Sequence, residues 1–111
     1  MKKYLALYMI PASTVKKLMK TTPEQAKAGM EEWTRWAKKN AKAIVDLGTP
    51  LGRTKCIAMA GVSDTRNQIT GFTVVQGRSW ESVVKAFKGH PHLQLAGASI
   101  DLIESFEIPG A

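Results

Sequence analysis

The stretch KYLALYMI, residues 3–10, carries the pattern that decides the fold. Successive side chains of a β-strand point to opposite faces, so Leu5 and Leu7 share one face and the residues around them share the other. Because both faces are largely apolar, such a strand is expected to be covered on both sides. The pattern therefore predicts a central first strand, which Pro11 ends.

Two stretches with helical spacing follow this strand, after a short helix that is predicted over residues 13–19. In the first stretch, Thr22 can cap the helix, Pro23 takes its first position, and Gln25 completes a capping box. The helix is predicted to run to residue 40. Its predicted buried stripe comprises Ala26, Met30, Trp33 and Ala37, with Trp36 beside it.

The second helix is predicted to begin after Ser79, a capping residue, and to end where Gly89 can take a left-handed closing conformation. Further strands are predicted at residues 43–47, 55–60, 70–76 and 99–108, with a polar loop at 61–68.

The resulting order, β-α-β-β-α-β, predicts an α+β fold with a ferredoxin-like split βαβ sheet and both helices on one face. We expect residues 1–111 to form one such domain. Tyr4, Ala6 and Tyr8 are predicted to lie on the face without helices. Since that face would be too apolar to leave in water, a second copy is expected to cover it, giving a homodimer.

Composition narrows the class of protein. No apolar run approaches the roughly 20 residues of a membrane span, and the lone Cys56 fits a reducing cytoplasm. The net charge is +7, and residues 12–42 carry eight Lys or Arg against three Glu. A basic helix of this kind can attract nucleic acid, but no stacking aromatic residues alternate with the lysines. A solvated basic face is therefore expected, and nucleic-acid binding is disfavoured.

An ordered series of sequence blocks resembles the YCII-related (DGPF-type) proteins. The blocks are TPEQ at 22–25, GMEEW at 29–33, IVDLGTPLG at 44–52, GVSDT at 61–65, TGF at 70–72 and GHPHL at 89–93. The resemblance covers nearly the whole chain. It implies a dimeric α+β barrel, in which two ferredoxin-like sheets close around a shared interior.

The resemblance implies less about activity. Some YCII-like members are proposed enzymes with a histidine and aspartate pair, among them a dechlorinating enzyme of aromatic breakdown. That histidine lies on the first helix, where this chain has none, and His90 occupies the position of the aspartate. The pair is therefore absent. Some DGPF-type relatives are linked to sigma factors of the extracytoplasmic-function class, so the resemblance implies a regulatory protein partner as an alternative.

The candidate catalytic residues are His90 and His92, which stand on either side of Pro91. Histidine exchanges a proton near neutral pH. The proline stiffens the chain at residues 90–92, the histidine corner. A catalytic histidine also needs an orienting acceptor, for which Asp64, Asp46 and Glu104 are candidates. The alternative is that His90 bonds carbonyls at the end of the second helix while His92 lies at the surface. No third ligand accompanies the histidines, so no metal site and no cofactor are predicted.

Other polar residues are candidates for substrate binding. Asp64 is the predicted orienting carboxylate, and Arg66 or Lys55 could bind an anionic group, although Asp64 is equally typical of a tight loop. Tyr8 could line a ligand cavity or form an apolar interface. Glu104 interrupts an apolar alternation, so it either faces inward or is turned to water by a β-bulge.

These residues favour a cofactor-free enzyme that performs acid-base chemistry on a small molecule, of the lyase, isomerase or hydrolase type. The alternative is a non-catalytic dimer that binds a metabolite or a protein and is linked to sigma-factor regulation. RNA binding ranks last, because residues 70–76 offer only Phe72 for stacking.

Overall fold

A computed structural model describes residues 1–110, in which a four-stranded antiparallel sheet carries helices on one face and a two-stranded hairpin stands apart from it. The elements are β1 (Lys2–Met9), α1 (Ala12–Leu18), α2 (Pro23–Lys39), β2 (Ile44–Asp46), β3 (Thr54–Ala58), β4 (Gly61–Thr65), β5 (Ile69–Gly77), α3 (Trp80–Phe87) and β6 (Ser99–Ser105). The sheet order is β2-β5-β1-β6, so the predicted ferredoxin-like α+β fold is confirmed. No helix of residues 1–110 has the length and hydropathy to cross a membrane.

β1 is a central strand, as residues 3–10 predict, and it pairs with β5 and β6 along its length. The prediction was wrong about which face of β1 the helices cover. Tyr4, Ala6 and Tyr8 are fully buried on the helix side and form the core with aromatic and aliphatic residues of α2 and α3. The open face carries Leu5 and Leu7, which are partly exposed. Alternation places residues on faces but does not say which of two apolar faces the helices cover.

α2 begins at the predicted capping box: the Thr22 hydroxyl accepts from the Gln25 N–H, and the Gln25 side chain accepts from the Thr22 N–H. The predicted buried stripe holds only in the second half of the helix. Residues 23–31 are exposed, Met30 among them. Trp36 is buried, and its indole N–H donates to the Ala86 carbonyl in α3 at 2.8 Å.

α3 begins at Ser79, whose hydroxyl accepts from the Ser82 N–H. Its end differs from the prediction. Gly89 does not take a left-handed conformation; instead the chain leaves the helix through His90, whose N–H donates to the Phe87 carbonyl at 3.1 Å. The histidine corner is thereby fixed to the last turn of α3.

The predicted polar loop at 61–68 is wrong over its first half. Residues 61–65 form β4, which pairs with β3 in an exposed hairpin outside the main sheet. The last strand also ends earlier than predicted, at Ser105 rather than at residue 108; Ser105 is the last residue that pairs with β1, opposite Lys3.

Candidate functional site

His90 and His92 lie at the foot of α3, where Pro91–Gln94 form a single 3₁₀ turn. Both side chains are buried, with 1% and 3% of their surface exposed. The alternative that placed His92 at the surface is therefore wrong. The turn inserts both rings into the space between the sheet and α2, beside the Tyr8 ring, with centroid distances of 5.0 and 5.2 Å.

His90 supports the corner. Its Nδ1 accepts the backbone N–H of His92 at 3.0 Å, so the ring proton is on Nε2. The ring packs between Trp33 and Trp36, at centroid distances of 4.4 and 4.3 Å. Nε2 is buried and has no hydrogen-bond partner among residues 1–110. Burial, and then the neighbouring His92 charge, lower the pKa of His90 to about 4. The imidazole is therefore neutral at pH 7.

His92 has the opposite arrangement of its nitrogens. Its Nε2 lies 3.0 Å from the Met9 carbonyl oxygen and 3.2 Å from that of Ser99. Two carbonyls can only accept, so Nε2 carries the proton and Nδ1 carries a lone pair. Burial lowers the pKa of His92, and the two carbonyls oppose that shift. The bonds also join the end of β1 to the start of β6.

Tyr8 is held by a directed chain of hydrogen bonds. The Thr73 hydroxyl donates its proton to the Leu47 carbonyl at 2.8 Å, so the Tyr8 hydroxyl must donate to the Thr73 oxygen, at 2.7 Å. Burial raises the pKa of Tyr8 to about 12, although the bond to Thr73 lowers it. The phenol is therefore neutral, and its oxygen has only acceptor capacity left for a ligand.

Tyr8 and His92 border a cavity of about 290 Å³ between α2 and the β2–β5 edge of the sheet. Its lining residues are Tyr8, Met30, Trp33, Leu47, Gly48, Thr49, Pro50, Thr70, Gly71, Phe72 and His92. None of them is charged. The volume is at the small end of the range for ligand sites and matches a single substituted ring.

Two glycines leave room for this cavity. Gly48 has φ +78°, and a Cβ there would lie 1.8 Å from the Phe72 carbonyl oxygen, so only glycine lets the loop after β2 approach β5. At Gly71 a Cβ would lie 3.3 Å from the Tyr8 ring. The hydrogen bond from the Gly48 N–H to Asp46 fixes the same loop, so Asp46 is a turn residue rather than an orienting group.

The other predicted site residues lie elsewhere. Asp64 and Lys55 form an exposed ion pair, 2.9 Å long, on the β3–β4 hairpin, and Arg66 follows β4 and is also exposed. Within this chain Asp64 therefore orients neither imidazole, because backbone groups bond both rings. Glu104 lies opposite Tyr4 in an unbroken β1–β6 register, so the β-bulge alternative is wrong. Glu104 is half-buried on the helix side but does not line the cavity.

Sequence reasoning missed several residues of the site, above all Thr73 and Gly71 in β5 and Trp33 in α2. Thr73 has one available signal, a hydroxyl between apolar residues in a central strand, which needs a partner when buried. No group of three or more His, Cys, Asp or Glu able to hold a metal ion occurs in the described part of the chain.

No protein-family model matches the sequence, and no curated protein matches it. Among solved structures, the chain is similar to 5-chloro-2-hydroxyhydroquinone dehydrochlorinase from Burkholderia phenoliruptrix AC1100, in complex with 2,5-dihydroxybenzoquinone. The TM-score is 0.50 and the identity 12%, over 96% of this chain and 94% of that chain. At this identity the similarity shows the fold alone.

Proposed function

We propose that this chain is a single-domain, YCII-related small-molecule enzyme that uses His92 as a general base on a neutral, hydroxylated ring compound. The observation that carries the proposal is the pair of carbonyls on Nε2 of His92. They fix the ring so that its second nitrogen, Nδ1, is unprotonated. A neutral imidazole with one committed nitrogen is the usual form of a histidine base.

The chemistry of the lining supports this substrate class. Tyr8 and His92 each offer an acceptor, so a ligand that donates from a hydroxyl group fits them. No charged side chain lines the cavity, and an anionic ligand would lose its hydration without gaining a cation. Trp33 supplies an apolar wall of the kind that a flat ring requires. Arg66 and Lys55, which were predicted to bind an anionic group, have no part in this proposal.

In the proposed step, Nδ1 of His92 accepts a proton from a substrate hydroxyl. The electron pair of the broken O–H bond moves into the ring of the substrate, the step from which an isomerisation or the loss of a leaving group can proceed. The resulting imidazolium is stabilised where it forms, because the Met9 and Ser99 carbonyls accept from its Nε2–H. His90 touches neither proton; it positions the His92 main chain through its Nδ1.

The structural comparison supports the same substrate class. The similar structure is named a dehydrochlorinase and holds 2,5-dihydroxybenzoquinone, a hydroxylated ring. The resemblance of residues 22–25, 44–52 and 89–93 to YCII-related proteins points in the same direction. An exposed thiol at Cys56 suits a reducing compartment, so a cytoplasmic location is part of the proposal.

A second candidate function is that of a non-catalytic module that binds a metabolite and interacts with a regulatory protein. One observation favours it: His92 is the only His, Asp or Glu side chain among the described residues that line the cavity. An enzyme that also needed a general acid would have to use Tyr8, whose proton is already donated to Thr73. Both functions predict binding of the same class of ligand, but only the enzyme would convert that ligand into a product.

A ligand panel tests the proposal. Hydroquinone and hydroxyhydroquinone should raise the melting temperature by several degrees when added at about 100 times their dissociation constant. Their methyl ethers, which lack the donor, should bind at least tenfold more weakly, and benzoate should not bind. Absorbance spectra of the same mixtures report turnover. Binding without any chemical change in a wider set of substituted hydroquinones would favour the non-catalytic module, and preferential binding of benzoate would contradict both.

The proposed assembly is a homodimer in which a second copy covers the open face of the sheet, as in an α+β barrel. Apolar side chains of β1, β5 and β6 lie on this face. They are Leu5, Leu7, Phe72, Val74 and Ile103. A contiguous apolar surface of this kind is rare on proteins that act as monomers.

Leu5→Lys places a charge at the centre of this face and should reduce the sedimenting mass by half at micromolar concentration. Val62→Lys is the matched control, since it makes the same change on the exposed hairpin. Unaltered association of the Leu5→Lys protein would show that the open face is not the interface.

A further inference from the structure

β6 forms one edge of the sheet, and its outer side is unpaired within residues 1–110. Edge strands usually carry a proline, a lysine or a bulge that discourages further pairing. The sequence of β6, SIDLIES, contains neither residue, although it carries the charged Asp101 and Glu104, and its register with β1 runs through seven consecutive pairs without a shift. A regular row of main-chain donors and acceptors is therefore open to another extended segment.

An apolar cleft of about 300 Å³ runs beside this edge, between α3 and β6. Ile100 and Leu102 of β6 form its floor, and Trp80, Val84 and Leu93, each about half-exposed, form its far wall. Lys88 lies at the rim. An unpaired edge next to an apolar cleft is the arrangement by which proteins bind a peptide as an added strand, with alternate side chains entering the cleft.

The tail, residues 106–108, follows β6 and carries apolar side chains of the kind that this cleft would take. After β6, Phe106 and Ile108 are 79% and 76% exposed. They continue the even spacing of Ile100 and Leu102, so an extended tail would present these four side chains on one face, with Glu104 between Leu102 and Phe106. Glu107 lies between the two apolar residues, so in an extended tail it points to the opposite face, away from the cleft.

We propose that two copies exchange these tails, each adding residues 103–108 as a strand along β6 of the other. A twofold axis at Ile103 makes the pairing antiparallel and self-complementary. It places Phe106 of each copy opposite Ile100 of its partner copy, on the helix side where the cleft lies. This interface lies at the sheet edge and is therefore separate from the open-face interface proposed above. Copies that form both interfaces assemble into a tetramer.

Sedimentation velocity of a double variant, Phe106→Ser with Ile108→Ser, tests the exchange. The double variant should halve the sedimenting mass, or weaken association at least tenfold. Ile57→Ser with Met59→Ser is the matched control, because it removes two equally exposed apolar side chains from the hairpin; it should leave the mass unchanged. Equal loss in both proteins, or loss in neither, would overturn the proposal.

A peptide of residues 103–110, labelled with a fluorophore, gives a second readout that does not depend on the open face. It should bind saturably to the double variant, whose cleft is empty, and at least tenfold more weakly when Val84→Glu is added. Absence of saturable binding would overturn the proposal even if the mass changed. Leu5→Lys leaves the edge and the tail intact, so it should retain peptide binding if the open-face dimer fails.

Discussion

His92→Gln should lower turnover of a bound hydroxylated ring by about 10²–10⁴-fold, the usual contribution of a positioned general base. The glutamine amide can place its N–H₂ where Nε2 stands and continue to donate to the Met9 and Ser99 carbonyls. It has no lone pair at the position of Nδ1. The variant therefore removes the base and keeps the bonds that hold the corner. The measurement is kcat by absorbance, with the urea midpoint as a check on folding.

His90→Asn is the control for this experiment. The asparagine oxygen replaces Nδ1 as the acceptor of the His92 N–H, but the ring packed between Trp33 and Trp36 is lost. We expect lower stability and a kcat within about tenfold of wild type, since the residue only positions His92. A His92→Gln protein that folds and keeps full turnover would remove His92 from the mechanism.

Acidification should destabilise the protein between pH 6.5 and pH 4. The folded state binds a proton at His90 only near pH 4, whereas the unfolded state binds it near the ordinary value of 6.5. Between these values the unfolded chain holds more protons, so the free energy of unfolding falls as the pH falls. The contribution is complete above pH 6.5 and is lost by pH 4. It amounts to about 3 kcal/mol at most, because each pKa unit corresponds to about 1.4 kcal/mol.

Burial also lowers the pKa of His92. Acidification therefore reduces the free energy of unfolding through His92 as well as through His90. Urea unfolding at pH 7, 6, 5 and 4.5 gives the slope. The His90→Asn protein should start less stable at pH 7 and show a shallower decline, because the titrating ring is gone. Parallel curves for the two proteins would show that His90 is not the source of the acid sensitivity.

The fold was largely predictable because its signals are local. The capping box at Thr22, the β-branched strand β5 and the helical spacing after Ser79 each mark an element through residues close in sequence. What sequence could not supply is which face of β1 the helices cover. KYLALYMI is apolar on both sides, and the choice depends on Trp36 and Phe87, which reach the sheet only in the folded chain.

The candidate site was predicted only in part, because its local signals are visible in the sequence and its long-range contacts are not. The two histidines were visible as neighbours of Pro91, but their roles depend on Met9 and Ser99, whose carbonyls β1 and β6 bring to one point. The residues around Asp64 read as a loop because they are polar, although their pairing with β3 makes them a strand. A single sequence does not show hydrogen bonds between groups that are far apart along the chain. The carbonyls that orient His92 could therefore not be deduced from it.

The most direct test is the ¹⁵N spectrum of the His92 imidazole, recorded from pH 7.5 to pH 4 with and without a hydroxylated ring ligand. A neutral ring with the proton on Nε2 at pH 7, a pKa below the ordinary 6.5, and a ligand-induced shift confined to Nδ1 are the expected results. A ring that is charged at pH 7, or that carries its proton on Nδ1, would contradict the assignment of His92 as the base.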